Sequence, residues 1–383
     1  MKPLITPMKC VFSLGIAIAL LPPVSFGQRY KQTNLVSNVQ GIAKVQDDNL
    51  KNPWGLTRSS GSPWWVGNNN SGTSTLYDGT GAPQDFFKEP NGQQGNFIAV
   101  PAAKDAPAGT IGTPTGVVFN GSNTDFLLVR GKKGTQAIFI FVTEDGTISG
   151  WNPGVNVLSA VRVVDHFDEG SGNGAVYKGA TTAEINGKRF LYAANFRSGK
   201  VEVYNSRFAR VHMDDDAFDD DSIPDGFAAF NVQNIGGSIF VTYAKQDSLR
   251  HDPVDGDGLG FVDIFTPSGK LISRLEHGDW LNAPWGVVWT PRDFGEFSNS
   301  ILVGNFRSGW IAAYNGFTGK FIGFLKNDKK SLVTIDGLWS LTFGNDGGAG
   351  LANTLYFTAG INNENDGLFG TLTPVDGLDG DEE

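Results

Sequence analysis

Residues 282–289 read N-A-P-W-G-V-V-W, residues 300–315 read S-I-L-V-G-N-F-R-S-G-W-I-A-A-Y-N, and residues 319–325 read G-K-F-I-G-F-L. Each run is of strand length, rich in Val, Ile, Phe, Trp and Tyr, and bounded by Pro, Gly or Asn. A tight turn at Arg307, Ser308 and Gly309 separates two of them. The unit therefore reads as a four-stranded antiparallel meander. Such a sheet cannot cover both of its faces, so it needs copies of itself as neighbours.

The copies are present. Asn52, Pro53, Trp54 and Gly55 open one unit, followed by Trp64 to Asn68, a turn at Ser71 and Gly72, and a third strand over 73–77. Thr113 to Gly116 opens a second, with its next strands expected at 125–130 and 137–142. A third has lost the Pro but keeps A-N-F-R-S-G over 194–199, nearly matching G-N-F-R-S-G over 304–309. The fourth runs from Gly226 through 238–243 to 261–265, and the sixth opens at Asp336, Gly337, Leu338 and Trp339 and continues through 355–360 and 367–370. Six units spaced by about fifty to sixty residues, with no helical periodicity between them, predict an all-β, six-bladed β-propeller of the NHL/TolB-like kind. The last unit has only three clear strands, whereas residues 30–39 have strand character and no blade of their own. A propeller removes its open edge by letting an N-terminal strand complete the last blade. That closure is expected here.

Lys2 and Lys9 precede an apolar run over residues 10–21, with Ser25 and Gly27 at positions suited to cleavage. This pattern predicts a signal peptide over residues 1–27, a propeller over 28–375 and an acidic, solvated tail over 376–383. The run is short for a membrane span, so the expected protein is secreted or periplasmic, monomeric, and without a span once the leader is cleaved. The single cysteine, Cys10, lies in the leader, which leaves no disulfide or thiol chemistry. Fifty-one glycines, 12% aromatic residues and 18% charged residues suit many short strands joined by tight turns. A net charge of −10 with no basic stripe excludes nucleic acid as a partner.

Residues 52–55 (N-P-W-G), 226–233 (G-F-A-A-F-N-V-Q), 243–246 (Y-A-K-Q), 260–263 (G-F-V-D), 281–286 (L-N-A-P-W-G), 304–306 (G-N-F), 335–339 (I-D-G-L-W) and 367–370 (G-L-F-G) together resemble a family of secreted bacterial proteins of unknown function. Some members of that family carry a C-terminal sorting signal of the PEP-CTERM type. The resemblance spans residues 34–370 and implies the same propeller. The chain departs from it in having no such signal after Gly370 and in carrying Asp366 where a His is usual. More distantly, the Asn-Pro-x-Gly openings look like NHL repeats.

Catalytic signatures are scarce: the chain has no G-x-S-x-G, Walker A, H-E-x-x-H or C-x-x-C pattern. His166, His212, His251 and His277 are scattered singly, so no catalytic residue is named. Acidic groups carry more signal. Asp214 to Asp216, Asp219 to Asp221 and Asp225 precede the fourth blade, and Asp252, Asp255 and Asp257 lie in an insertion within it. Such oxygen-rich groups either bind one Ca²⁺ or form solvated loops.

The blade openings and the turns between second and third strands fall on one face of the disc. That face gathers Trp54, Trp285 and Trp339 with Asn68, Asn195, Arg197, Asn305 and Arg307, and the last blade adds Asn362, Asn363 and Glu364. Amides, guanidinium groups and rings around a channel mouth suit a polar small molecule, a glycan or another extracytoplasmic protein. Trp wedging between blades and Asn capping turns is the structural alternative. Two functions follow: a binding or scaffolding module, or a Ca²⁺-dependent hydrolase or lactonase with Asp336, Glu364, Asn195 and Asn305 converging at the mouth.

Overall fold

The computed structural model describes residues 29–88, 94–168 and 173–375. The expected leader and acidic tail lie outside the described residues. Within them, six antiparallel sheets form six blades of a propeller, and the innermost strands are Pro53–Thr57, Pro114–Phe119, Tyr177–Ile185, Phe227–Ile235, Pro284–Trp289 and Leu338–Phe343. These strands are numbered blades 1 to 6 in that order. The stretch that opened the reading forms blade 5 as Pro284–Trp289, Ser300–Asn305, Ile311–Asn315 and Phe321–Phe324.

Close approach of the inner strands explains the Gly that follows the Trp in the opening motif. A Cβ on Gly55 would lie 2.3 Å from the Thr115 carbonyl oxygen of blade 2, and one on Gly286 would lie 2.5 Å from the Trp339 carbonyl oxygen of blade 6. Any larger residue would push neighbouring blades apart. The remaining core lies between blades. One cluster joins Trp64 and Tyr77 of blade 1 to Tyr356 and Phe369 of blade 6.

The ring closes as expected. Arg29–Ser37 pairs antiparallel with Leu368–Val375 as the outer strand of blade 6, and Val45–Gln46 adds to it in parallel. Tyr30 is wholly buried, and its backbone N–H and its hydroxyl donate to the carbonyls of Lys326 and Phe294 on blade 5.

Blade 2 departs from the sequence reading. Its second and third strands are Phe139–Thr143 and Thr147–Trp151, while residues 125–130 form no strand and meet residues 135–137 through an isolated bridge from Leu127 to Gln136 and its flanking backbone hydrogen bonds. Their apolar character has another cause: Phe126, at φ 60°, is fully buried and packs against Phe208 of blade 3 at 5.0 Å. The segment covers the seam between two blades, so its hydrophobicity serves burial without strand pairing.

Deleting residues 29–37 removes buried Tyr30, Leu35 and Val36 and reopens the blade edge. Loss of those three side chains alone predicts a fall of at least about 5 kcal/mol in unfolding free energy. Urea denaturation and light scattering should show this fall together with self-association; a monomer of unchanged stability would refute the closing role of the strand.

Candidate functional site

The second residue of each innermost strand is Trp54, Thr115, Lys178, Ala228, Trp285 or Trp339. Trp54, Ala228, Trp285 and Trp339 share one cluster with Phe196, Phe230 and Phe306, although they come from different blades. The axis is the place that such blades have in common. Trp54 stacks on Trp339 with centroids 3.5 Å apart, Phe306 stacks on Trp339 at 3.9 Å, and Trp285 meets both indoles edge-on at about 6 Å. Trp54, Trp285 and Trp339, read from the sequence as facing a ligand, are thus buried and plug the channel.

Above the aromatic plug sits a charged cluster. Lys178 occupies in blade 3 the position held by Trp in blades 1, 5 and 6, and its side chain is 0% exposed. Its ammonium lies 5.1 Å from the Trp54 ring centre and donates to Glu144 Oε1 and, at 3.2 Å, to Asp252 Oδ1. Burial alone would depress the Lys178 pKa, but the charges of Glu144 and Asp252 and their hydrogen bonds hold it above its ordinary value. Lys178 is therefore a fixed cation and no amine nucleophile. Burial would likewise raise Asp252, yet the hydrogen bond from His251 and the charge of Lys178 hold it well below the usual carboxylate range.

Each carboxylate reaches the axis from a turn. Glu144 follows the second strand of blade 2, and its Oε2 accepts from Asn69 Nδ2 of blade 1 at 2.7 Å. His251 and Asp252 sit in the insertion of blade 4, with His251 Nδ1 at 3.1 Å from Asp252 Oδ1. Glu364 comes from blade 6 on three consecutive residues with left-handed backbone, Asn362, Asn363 and Glu364 at φ 56°, 54° and 66°. That conformation costs an L-residue roughly 1–2 kcal/mol, less for Asn than for Glu. The turn is tied down where Glu364 N–H donates to the Gly360 carbonyl and Asn70 Nδ2 donates to the Glu364 carbonyl. Trp339 Nε1 donates to Asn52 Oδ1, which orients the Asn52 amide so that its Nδ2 donates to Glu364 Oε2 at 3.0 Å. Burial pushes the Glu364 pKa up; the Asn52 bond opposes this, Glu144 adds to it, and Lys178 and Arg307 oppose it.

Other residues read from the sequence have structural partners. Asn195 Oδ1 accepts from the Val176 and Ser198 N–H groups, and Asn305 Oδ1 accepts from the Asn282 N–H, so both amides tie a turn to a blade opening. Asn68 Nδ2 donates to Thr73 and Thr75. Arg197 donates to the Gly174 carbonyl and Arg307 to the Pro253 carbonyl, each at 3.0 Å; Arg307 is exposed and lies over the Phe306 ring. Asp255 accepts from Asn282 Nδ2 and Asp336 from the Asn362 N–H, while Asp257 is exposed. Of the acids named as metal ligands, the structure brings Asp252 and Glu364 to the charged cluster. In the 214–221 run, Asp220 shares Arg274 with fully buried Asp263, so a guanidinium supplies counter-charge there.

Sequence reasoning missed Lys178 and Glu144. The signal for the first was Y-K-G over 177–179, which aligns with P-W-G and puts a lysine at an axial position.

The fold and this mouth define a six-bladed propeller with a plugged axis and a polar cluster on one face. No family model matches the chain. It is 31% identical over 276 residues to "Uncharacterized protein R640" of Acanthamoeba polyphaga mimivirus, covering 70% of this chain and 50% of that protein, so it spans about half the length of that relative. It is 29% identical over 354 residues to "Uncharacterized protein R648" of the same virus, covering 90% of this chain and 80% of the relative. Among solved structures, a protein of unknown function from Bacteroides thetaiotaomicron superposes with a TM-score of 0.52 at 9% identity, over 91% of this chain and 76% of that one. That likeness concerns the fold alone. Among the described residues no helix is long and apolar enough to cross a membrane.

Replacing Lys178 by Met leaves Glu144 and Asp252 facing each other without their cation, and breaking a buried pair in this way costs about 3–5 kcal/mol. Urea denaturation should show that loss, and the Lys178→Met, Glu144→Gln double variant should recover part of it. The pH dependence has a definite sign. Lys178 is raised, so its contribution is full below about 10.4 and is lost as pH rises through the folded value. Asp252 is depressed, so its contribution is present above about 3.9 and is lost as pH falls through its folded value. Stability from this cluster should therefore be flat between those limits and fall outside them.

Proposed function

We propose that the protein is a ligand-binding propeller whose site is the axial mouth above the tryptophan plug, taking a polar, hydroxyl-bearing ligand such as the end of a glycan. The observation that carries this reading is the origin of the cluster. Asn52 and Asn69 come from blade 1, Glu144 from blade 2, Lys178 from blade 3, His251 and Asp252 from blade 4, Arg307 from blade 5 and Glu364 from blade 6. Every blade contributes a polar group to one place. The plug beneath already fills the axis, so folding does not require those groups to converge, and burying charges is costly unless something is gained. Strain at Glu364, a carboxyl that Asn52 aims, supports the same reading, because strained backbone tends to persist where function holds it.

A metal-assisted hydrolase or lactonase is the second reading. Glu144, His251 and Asp252 offer ligand atoms within 4.8 Å of one another, a spacing that suits Ca²⁺ or another divalent ion. Lys178 already bonds two of them, so a cation would have to displace the ammonium. Millimolar Ca²⁺ that raises Tm, with chelator reversing the rise, would favour this reading over the first.

The binding reading is tested on a glycan array with the wild type and with Glu364→Gln and Arg307→Ala. Glu364→Gln keeps the shape and the acceptor toward Asn52, and Arg307 is exposed, so both variants should keep Tm within about 2 °C, since exposed sites usually change stability little. Each should weaken retention of a bound glycan at least about tenfold, the loss of roughly one charged hydrogen bond. Retention unchanged in both variants would move the site away from the mouth.

A further inference from the structure

Away from the axis, at the seam of blades 2 and 3, Glu202 is buried, accepts three hydrogen bonds and pairs with one guanidinium. Its Oε1 receives Asn195 Nδ2 at 3.0 Å and Arg210 at 3.1 Å; its Oε2 receives the Tyr177 and Tyr204 hydroxyls at 2.8 and 2.7 Å. Both phenols are themselves buried. His166 Nδ1 lies 2.9 Å from the Tyr177 hydroxyl oxygen and 3.3 Å from that of Tyr204.

Counting protons decides the state of the imidazole. Each phenol has one proton, and a contact of 2.8 Å or less between a phenol oxygen and an ionised carboxylate oxygen is attractive only with a proton between them. Arg210 and Asn195 on Oε1 supply the counter-charge and the donor that a carboxylate calls for. The two phenolic protons are then shared among three short contacts, Tyr177 to Oε2, Tyr204 to Oε2 and the 2.7 Å contact between the two phenols, and neither is left over for His166. Tyr177 can therefore only accept from His166, so His166 must carry its proton on Nδ1. In the neutral ring the lone pair is left on Nε2, and the side chain is 38% exposed.

We propose that His166 is a positioned imidazole whose Nε2 serves as a base or nucleophile at the rim between blades 2 and 3, oriented through Tyr177 and Tyr204 by buried Glu202. A carboxylate that fixes a histidine tautomer from behind is the arrangement by which hydrolytic and metal-binding histidines are made to present one nitrogen. Here a pair of phenols stands between the two. The chemistry this suits is hydrolysis of a neutral ester approaching from solvent: Nε2 either takes a proton from the water that attacks the acyl carbon or attacks that carbon itself. The ester C–O bond breaks, the alkoxide takes up a proton and leaves as the alcohol, and the acyl group ends as the acid, in the second case when water cleaves the acyl-imidazole. The site is separate from the axial mouth and does not depend on it.

Two measurements test the assignment on the whole protein. Long-range ¹⁵N–¹H correlation at mildly alkaline pH, with the His166 signals identified by their loss in His166→Gln, should show protonated Nδ1 and bare Nε2. The Tyr177→Phe, Tyr204→Phe variant keeps the packing, removes both phenols and should release that preference. Diethyl pyrocarbonate, whose carbonyl is attacked by an unprotonated imidazole nitrogen with loss of ethyl carbonate, should modify His166 several-fold faster than exposed His212 as followed by peptide mass mapping, and the phenol-free variant should lose the difference. A wild-type His166 protonated on Nε2, or one modified no faster than His212, would overturn the proposal. So would a tautomer and a rate that survive loss of both phenols.

Discussion

Six inner strands that converge on one line leave a channel, and the packing of that channel is the constraint on which this structure depends. Neighbouring strands approach so closely that Gly55 and Gly286 admit no side chain, whereas the residue just before each of them points inward. Three of the six inward positions carry indoles, and their stacking, reinforced by Phe306 and Phe230, seals the axis. The seal also joins blades that are not neighbours: Trp285 of blade 5 donates across the axis to the carbonyl of Lys178 on blade 3. A closed axis turns one face of the disc into a floor, and whatever polar groups the turns bring to that floor are held at fixed positions.

The architecture was legible in the sequence because it rests on local signals repeated six times. Pro and Gly at the openings, strand-length apolar runs and Asn-bounded turns are decided within a few residues of themselves. Even ring closure followed from a surplus strand at one end and a missing one at the other. Blade 2 escaped because residues 125–130 are apolar for a tertiary reason, the cover that Phe126 gives to a seam. The charged cluster escaped for a related reason. Lys178, Glu144 and Asp252 lie far apart in the chain, and no short motif joins them; only the ring brings them together. The tryptophans were found but assigned to the wrong side of the floor, since a sequence gives the face of a sheet more readily than the depth of a side chain.

Repetition in sequence does not make repeated positions equivalent. Arg197 and Arg307 occupy the same place in two copies of N-F-R-S-G, yet one bonds the loop that opens its own blade and the other bonds the insertion of the preceding blade. Their asparagines, by contrast, do the same work in both copies, tying the turn to the backbone at the blade opening. The amide acts within its own blade and is insensitive to what lies next door. A long guanidinium reaches the neighbour, so its partner varies with each insertion.

The two glutamates at the mouth show how such surroundings separate groups of one kind. Glu144 receives the Lys178 ammonium on one carboxylate oxygen and an Asn69 amide on the other. Glu364 receives one amide, lies half-buried, and stands in the field of Glu144, so the same charge that Lys178 supplies to its neighbour reaches it only at a distance. Two carboxyls near one axis thus meet different partners, and the difference arises from which blade carries the lysine. Had Lys178 been the tryptophan that three other blades place there, Glu144 would face the plug without the ammonium that now bonds it. A lysine built into the strand supplies that charge from within the fold, and Glu364 has the Asn52 amide as its partner instead.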